Sequence, residues 1–262
     1  MNSNGTKKYA LVTGASSGIG ADIAKELAVL GYHLILTARR KDRLEEIARV
    51  ISAENNIDIK VFISDLGQPS GAKDIYNYCK SGNYPIEVLV NNAGYGINKS
   101  FHNTSLEDEI KFLNVLGISV ISLTKMFLPD MMERKSGNIM VISSIAAFIP
   151  PFPGGGILYG PVKNFMNRFV EAINANYLTY GISATAVCPG FTVTEFHSVS
   201  NMQAMMDRVP SFMKMKSDIV AKGAVDATLQ GKKLWVPGFI NKLIIFLCRI
   251  IPASLLIKFY SR

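Results

Sequence analysis

The chain is expected to fold as a single α/β domain, a doubly wound parallel sheet of seven strands with helices on both faces. Three observations predict this. Short apolar runs alternate with amphipathic helical stretches almost from end to end, the pattern of repeated strand–helix–strand units. The 262 residues are 48% hydrophobic and 18% charged, which is enough apolar material for a full core and too little charge for extensive disorder. A glycine-rich loop, TGASSGIG at 13–20, separates the first apolar run from the first helical stretch.

In order, the strands are placed at Tyr9–Thr13, His33–Ala38, Ile59–Ser64, Val88–Asn91, Ile139–Ser143, Ser183–Cys188 and a short Leu234–Val236. Each is a brief aliphatic or β-branched run bounded by polar or glycine-containing turns. Helices fall near 18–31, 41–54, 69–80, 105–133, 158–180 and 216–230, with Gly31 and Gly181 as C-terminal stops, since glycine adopts the left-handed conformation that ends a helix. No linker, repeat or low-complexity tract divides the chain. Residues 1–236 therefore read as one unit, with 1–7 flexible and 237–262 as an apolar, amphipathic extension. Two segments break the alternation, the Pro/Gly-rich stretch 149–156 and the long region 191–215. Both follow strand ends, where ligands of open α/β sheets bind, so both are candidate substrate walls.

Several function classes are set aside by composition. Cys79, Cys188 and Cys248 are odd in number and widely spaced, which suits neither a disulfide framework nor a zinc site. His33, His102 and His197 have no neighbours at ligand spacing, so no metal is expected. The start, MNSNGTKK, lacks the apolar core of a secretion signal, and the expected compartment is the reducing cytoplasm. The net charge of +8 is spread along the chain, with short clusters at Arg39-Arg40-Lys41 and Lys232-Lys233. No nucleic-acid motif accompanies it, and nucleic acid is not an expected partner.

Chemistry is concentrated in a few strings. In TGASSGIG the glycines Gly14, Gly18 and Gly20 serve either a tight turn alone or a turn whose amides and helix N-terminus hold a pyrophosphate. Asn91-Asn92-Ala93-Gly94 closes the fourth strand in a similar way. The second strand ends Ala38-Arg39, with no carboxylate for a ribose 2'-hydroxyl and with an arginine suited to a 2'-phosphate, which favours NADP(H) over NAD. The alternative is that Arg39, Arg40 and Lys41 begin a solvated helix. Tyr-x-x-x-Lys occurs three times, at Tyr76 and Lys80, Tyr95 and Lys99, and Tyr159 and Lys163. Only the last follows a strand ending in serine and has a proline, Pro161, to set a helix start. On that helix a lysine charge about 4 Å away is worth roughly 4 kcal/mol at an effective dielectric of 20. That is enough to lower a phenol pKa from about 10 by up to about three units. The other two pairs are expected to be surface or packing residues.

With these strings in order, the chain resembles the short-chain dehydrogenase/reductase family over about residues 8–236. The matching elements are TGASSGIG at 13, Asp65-Leu66, NNAG at 91, Asn114 in NVLG, Ser144 in VISSIAA, YGPVK at 159, and Pro189-Gly190 followed by Thr192 and Thr194. The resemblance implies a Rossmann-like sheet in strand order 3-2-1-4-5-6-7 and nicotinamide hydride transfer between a carbonyl and an alcohol. It implies that Gly14, Ser16, Ser17, Gly18, Ile19 and Gly20 hold the dinucleotide with Arg39, that Asp65 and Leu66 line the adenine, and that Asn92, Ala93 and Gly94 line the ribose side. Pro189, Gly190, Thr192 and Thr194 would flank the nicotinamide, and Lys163 would also hold its ribose hydroxyls beside Tyr159. Tyr159 would be the proton donor, Ser144 the second hydrogen-bond donor, Lys163 the tuning charge, and Asn114 the holder of a water that resupplies protons. Ser144 and Tyr159 stand two residues further apart than the family pattern, with the surplus in PPFPGGG at 150–156, so Ser143 is kept as the alternative serine. A homodimer or homotetramer is implied.

Apolar residues flank the presumed site: Phe148, Ile149, Phe152, Pro153, Ile157 and Leu158, and Met202, Met205, Met206, Met213 and Met215. They form either an adaptable pocket for a hydrophobic carbonyl or alcohol substrate or ordinary core packing. In the extension, Lys242 and Arg249 share a helix face, and no uninterrupted run is long enough to span a bilayer. Its readings are packing on the domain or a partner subunit, peripheral contact with a membrane, and a substrate lid. A dinucleotide-binding regulator or scaffold that turns nothing over is the competing function. Such a protein would have no need of Asn114, Ser144, Tyr159 and Lys163.

Overall fold

The computed structural model describes residues 7–150, 156–196, 200, 203–252 and 255. Its centre is a parallel sheet of β1 (Tyr9–Thr13), β2 (His33–Ala38), β3 (Ile59–Ile63), β4 (Ile86–Asn91), β5 (Gly137–Ile142), β6 (Ile182–Val187) and β9 (Leu234–Trp235), in order β3-β2-β1-β4-β5-β6-β9. This is the expected order, with β9 as the seventh strand. The two intervening strands form a separate ladder.

Side chains alternate across each strand, so one strand feeds two cores. Leu11, Ile35, Leu89, Ile139, Val141, Ala184 and Ala186 point to one face, covered by α3 (Gly71–Ser81), α5 (Ser119–Arg134) and α6 (Tyr159–Tyr177). Ala10, Val12, Leu34, Leu36, Val88, Val90, Met140 and Ile142 point to the other, under α1 (Gly18–Val29), α2 (Lys41–Glu54) and the helix Ser217–Leu229. Fully burying one such Leu, Ile or Val is worth about 1.5–3 kcal/mol, so both layers are held by the same strands. Strand order reverses between β2 and β4 around β1, which opens a crevice at the carboxyl ends of β1 and β4.

The helix expected at 105–133 is instead three elements. The Ser105 hydroxyl caps α4 (Leu106–Leu113) by accepting from the Asp108 amide, and Glu107, Asp108 and Glu109 complement the positive end of the helix. A π turn follows at Asn114–Ile118, and α5 then continues to a left-handed residue, Lys135. The whole run Leu106–Arg134 is long and apolar enough to cross a bilayer by length and composition. However, its Phe112, Leu123, Phe127 and Met131 are buried in the body, as in a core helix. Gly181 ends the α6 region at φ +75°, and a Cβ there would lie 2.0 Å from the Lys135 carbonyl oxygen, so only glycine fits.

Region 191–215 is partly regular. Thr192–Val193 (β7) pairs in parallel with Met215–Lys216 (β8), and a short helix, Gln203–Arg208, lies between them. Beyond β9, the helix Phe239–Ile250 buries Asn241 and Ile245. The expectations placed on 1–6, Phe152, Pro153, Met202 and His197 lie outside the described residues.

Candidate active site

At the crevice, the Thr13 hydroxyl joins two loops. It donates to the Val90 carbonyl and accepts from the Asn92 and Ala93 amides at 2.9 and 3.1 Å. The Asn92 carboxamide donates back to the carbonyls of Thr13 and Gly14 at 2.9 and 3.1 Å. Hence NNAG fixes the glycine loop from below. Gly14 and Gly18 have positive φ, and a Cβ on Gly20 would lie 2.3 Å from the Asn92 amide nitrogen, so the loop closes only with glycines there. Ser17 is the N-cap residue of α1 but its side chain makes no capping bond to the helix, and the first turn of α1 holds no acidic residue. With glycines where a Cβ would clash and a helix N-terminus behind it, the loop suits a dinucleotide pyrophosphate.

The cation against this loop is Arg40. Its guanidinium donates to the Ser16 and Ser17 hydroxyls at 3.1 and 2.8 Å and pairs with Glu195 at 2.8 Å. Arg39, expected at the end of β2 to meet a 2'-phosphate, is exposed like Arg40, and its charge acts on Tyr95. Arg40, directly after Arg39 in the chain, is the N-cap residue of α2. Glu195 is held below the usual carboxylate range, first by its hydrogen bond from Arg40. Asp65 accepts from the Gly67 amide at 2.9 Å and Leu66 is buried beside it. The Asn114 side chain donates to the Gly67 carbonyl at 3.1 Å, so it braces the turn after β3 from the π turn. Thr194 packs against Gly18, while the Thr192 hydroxyl donates to the Gly190 carbonyl at 3.2 Å. Gly94, Pro189 and Ile19 sit on the same rim by sequence position.

On the other side of the crevice, β5 and α6 bring together Ser143, Ser144, Tyr159 and Lys163. The two serines separate by role. Ser143 is buried and donates to the Lys163 carbonyl at 3.0 Å. Ser144 accepts from the Ala146 amide at 3.1 Å and is the serine that acts on the Tyr159 phenol, drawing its pKa down. Lys163 is buried, donates to the Ile142 carbonyl at 2.7 Å, and has its ammonium 5.6 Å from the centre of the Tyr159 ring.

Here one expectation is corrected. Lys163 was expected to make Tyr159 more acidic. Burial instead pushes the phenol up to about 12, opposed only by the Ser144 hydrogen bond, and brings the lysine down to about 8. Desolvation disfavours the charged form of each group, and the lysine charge is spent on a carbonyl and on the ring face, not on the phenol oxygen. At neutral pH the phenol keeps its proton. Beneath the pair, the Cys188 thiol is pushed up to about 11 by burial and contacts the Asn167 carboxamide at 3.5 Å.

A cleft beside Tyr159 is walled by Ile97, Phe101, Phe112 and Leu158, with Lys99 and Glu109 on it. Lys99, from a pair read as surface or packing, therefore borders this site, and Tyr95 packs edge-on against Phe112 at 5.5 Å. Phe196 stands 6.2 Å from the Tyr159 ring. Among the residues read as pocket or packing, Phe148 joins the main core and Met206 is buried. Sequence reasoning missed Arg40 as the loop's cation, Glu195, Phe196 and Asn241. Adjacency to Arg39 was the only signal for the first, and the others depend on contacts between distant segments.

A glycine loop at the strand-order reversal and a buried Ser–Tyr–Lys cluster across from it define an oxidoreductase that interconverts CH–OH and C=O with an NAD(P)-type dinucleotide. The chain belongs to the short-chain dehydrogenase/reductase family, whose short chain dehydrogenase model matches residues 8–204. It is 33% identical over 228 residues to the very-long-chain 3-oxoacyl-CoA reductase of Anas platyrhynchos, covering 84% of this chain and 69% of that protein. In structure it resembles a short-chain dehydrogenase from Sphingobium yanoikuyae in complex with NADPH, with a TM-score of 0.80 at 24% identity over 94% of this chain and 96% of that one. It also resembles an alcohol dehydrogenase from Thermococcus sibiricus complexed with 5-hydroxy-NADP, with a TM-score of 0.74 at 26% identity over 88% and 96%.

Proposed function

We propose that the chain is an NADP(H)-dependent reductase of an apolar aldehyde or ketone, the reverse oxidation being its microscopic counterpart. The carrying observation is the buried Tyr159 phenol, which keeps its proton at neutral pH, set with Ser144 and Lys163 across the crevice from the glycine loop. A bound nicotinamide supplies or accepts the hydride. As charge develops on the substrate oxygen, the Tyr159 and Ser144 hydroxyls donate to it, and Tyr159 completes the proton transfer. With a pKa brought to about 8, Lys163 exchanges its own proton near neutral pH, which suits resupply of the phenol. By family resemblance Asn114 holds the relay water, and its bond to Gly67 keeps the π turn in place for that task. Gly14, Ser16, Ser17, Gly18, Ile19 and Gly20 hold the pyrophosphate, Asp65, Leu66, Asn92, Ala93 and Gly94 the adenosine side, and Pro189, Gly190, Thr192 and Thr194 the nicotinamide side.

Arg40, with Arg39 next to it, supports preference for a 2'-phosphate, because its guanidinium already sits on two serine hydroxyls of the loop. The apolar side chains of Ile97, Phe101, Phe112 and Leu158 beside Tyr159 support a hydrophobic substrate, as does the acyl chain in the name of the Anas platyrhynchos relative. The working form proposed is a cytoplasmic homodimer or homotetramer, with 1–236 as the catalytic unit and 237–262 in peripheral contact with a membrane. NADPH and NADH oxidation against a graded panel of aldehydes and ketones tests this. Arg40→Ala is expected to lower kcat/KM for NADPH at least about tenfold, the loss of a charge-assisted phosphate contact, with little change for NADH. A strong wild-type preference for NADH, or turnover of small polar carbonyls alone, would overturn the reading.

A further inference from the structure

The C-terminal helix Phe239–Ile250 is seated on the body by one side. Its buried Asn241 donates to the Pro237 carbonyl at 2.7 Å and stands so close to Gly190 that a Cβ there would lie 2.2 Å from the carboxamide oxygen. Ile245, one turn on, is buried as well, and the Arg249 guanidinium lies 5.6 Å from the Phe148 ring centre. The helix thus rests on the Pro189-Gly190 turn and on Phe148, beside the crevice.

Among the described residues, nothing covers the opposite side. At 100° per residue, Phe239, Leu243, Phe246, Leu247 and Ile250 fall on one face, turned away from Asn241 and Ile245. They are exposed by 78, 43, 58, 39 and 59%. Five large apolar side chains on one face of a short helix are a patch, not scattered surface residues.

Charge selects the occupant. Lys242 lies along one flank of the bare face, and Arg249 stands on the same flank with its guanidinium over Phe148. After Asp226 the sequence holds Lys232, Lys233, Lys242, Arg249, Lys258 and Arg262 and no aspartate or glutamate. A second copy docked through the same face would set these cations against themselves, since a two-fold contact pairs identical patches. Anionic headgroups neutralise them while acyl chains cover the apolar face. A helix of 12 residues is too short to span a bilayer but suits its surface.

We propose that this face docks the protein on an anionic lipid monolayer and that the carbonyl substrate is drawn from that monolayer. The second clause rests on the reductase reading, and the first does not. The full chain is floated with phosphatidylcholine vesicles with and without phosphatidylglycerol. Wild type is expected to float with the anionic vesicles, and less so as salt rises. Leu243→Asp/Phe246→Asp should abolish flotation, and the milder Lys242→Gln should weaken it about fivefold, the worth of one basic residue at an anionic surface. Both variants should keep wild-type turnover of a water-soluble ketone, while the double variant loses turnover of a long-chain ketone held in vesicles. Equal flotation with neutral vesicles, or none at all, would overturn the proposal. So would light scattering that shows a wild-type oligomer broken by the same substitutions, because a second copy would then cover the face. A chain that floats yet reduces no carbonyl supports the docking and removes the substrate clause together with the reductase reading.

Discussion

Tyr76 and Lys80 on α3 have the same spacing as Tyr159 and Lys163 on α6, and the two helices put it to opposite uses. On α3 the tyrosine packs edge-on against Phe127 at 5.1 Å, and the lysine pairs with Asp130 at 3.0 Å on the surface. On α6 both side chains turn toward the crevice under β5, where the lysine is buried and the phenol touches Ser144. Helix periodicity makes the two residues neighbours in both cases. Burial decides what the neighbours are, since it raises the Tyr159 pKa and lowers that of Lys163, while the carboxylate of Asp130 raises that of Lys80.

The comparison is broken most directly at the phenols. Tyr159→Phe is expected to lower kcat about 10³-fold, within the range for loss of a general acid, while Tyr76→Phe stays within about twofold. Steady-state NADPH oxidation measures both, and equal loss in the two variants would erase the distinction. The lysines give the next largest effect, and it has opposite signs. Lys163 titrates lower in the folded chain than unfolded, so between pH 8 and about 10.5 the unfolded state binds more protons and stability rises with pH. Relative to Lys163→Met, wild type should gain about 2 kcal/mol between about pH 8 and pH 10 in urea unfolding. Lys80 titrates higher when folded, so its contribution is complete below the unfolded value and disappears as pH rises through the folded one. As a surface pair it is worth no more than about 0.5 kcal/mol. A falling curve for Lys163 would place its ammonium on an acidic partner instead of in a desolvated site. The serines give the smallest separation. Ser144→Ala should lower kcat about 10- to 100-fold with little loss of stability, by removing one donor to the developing oxyanion. Ser143→Ala should cost about 1 kcal/mol of stability, by removing a buried hydrogen bond, and leave kcat close to wild type.

Much of the fold was legible. The strands were found within one or two residues because alternation across a sheet and glycine punctuation are local signals. Other features were hidden for physical reasons. The π turn at Asn114 interrupts a stretch whose apolar pattern is continuous, and the β7–β8 ladder is two residues deep and joins segments more than twenty residues apart. The sign of the Tyr159 shift was misjudged because the Coulomb attraction of a nearby lysine was counted and the cost of burying both groups was not. That Arg40 reaches the serines of the first loop depends on a contact between segments more than twenty residues apart, which no residue type announces.

By itself the sequence determined the succession of strands and helices, the glycines of the first loop and the set of residues that could carry chemistry. These follow from backbone sterics and from hydrophobic period, which act over a few residues. Only the tertiary structure decided which Tyr-x-x-x-Lys pair is buried, which serine meets the phenol, which arginine meets the loop and which face of the last helix stays bare. Each of those outcomes depends on solvent being excluded by segments far apart in the chain, and desolvation has no signature in any one of them alone.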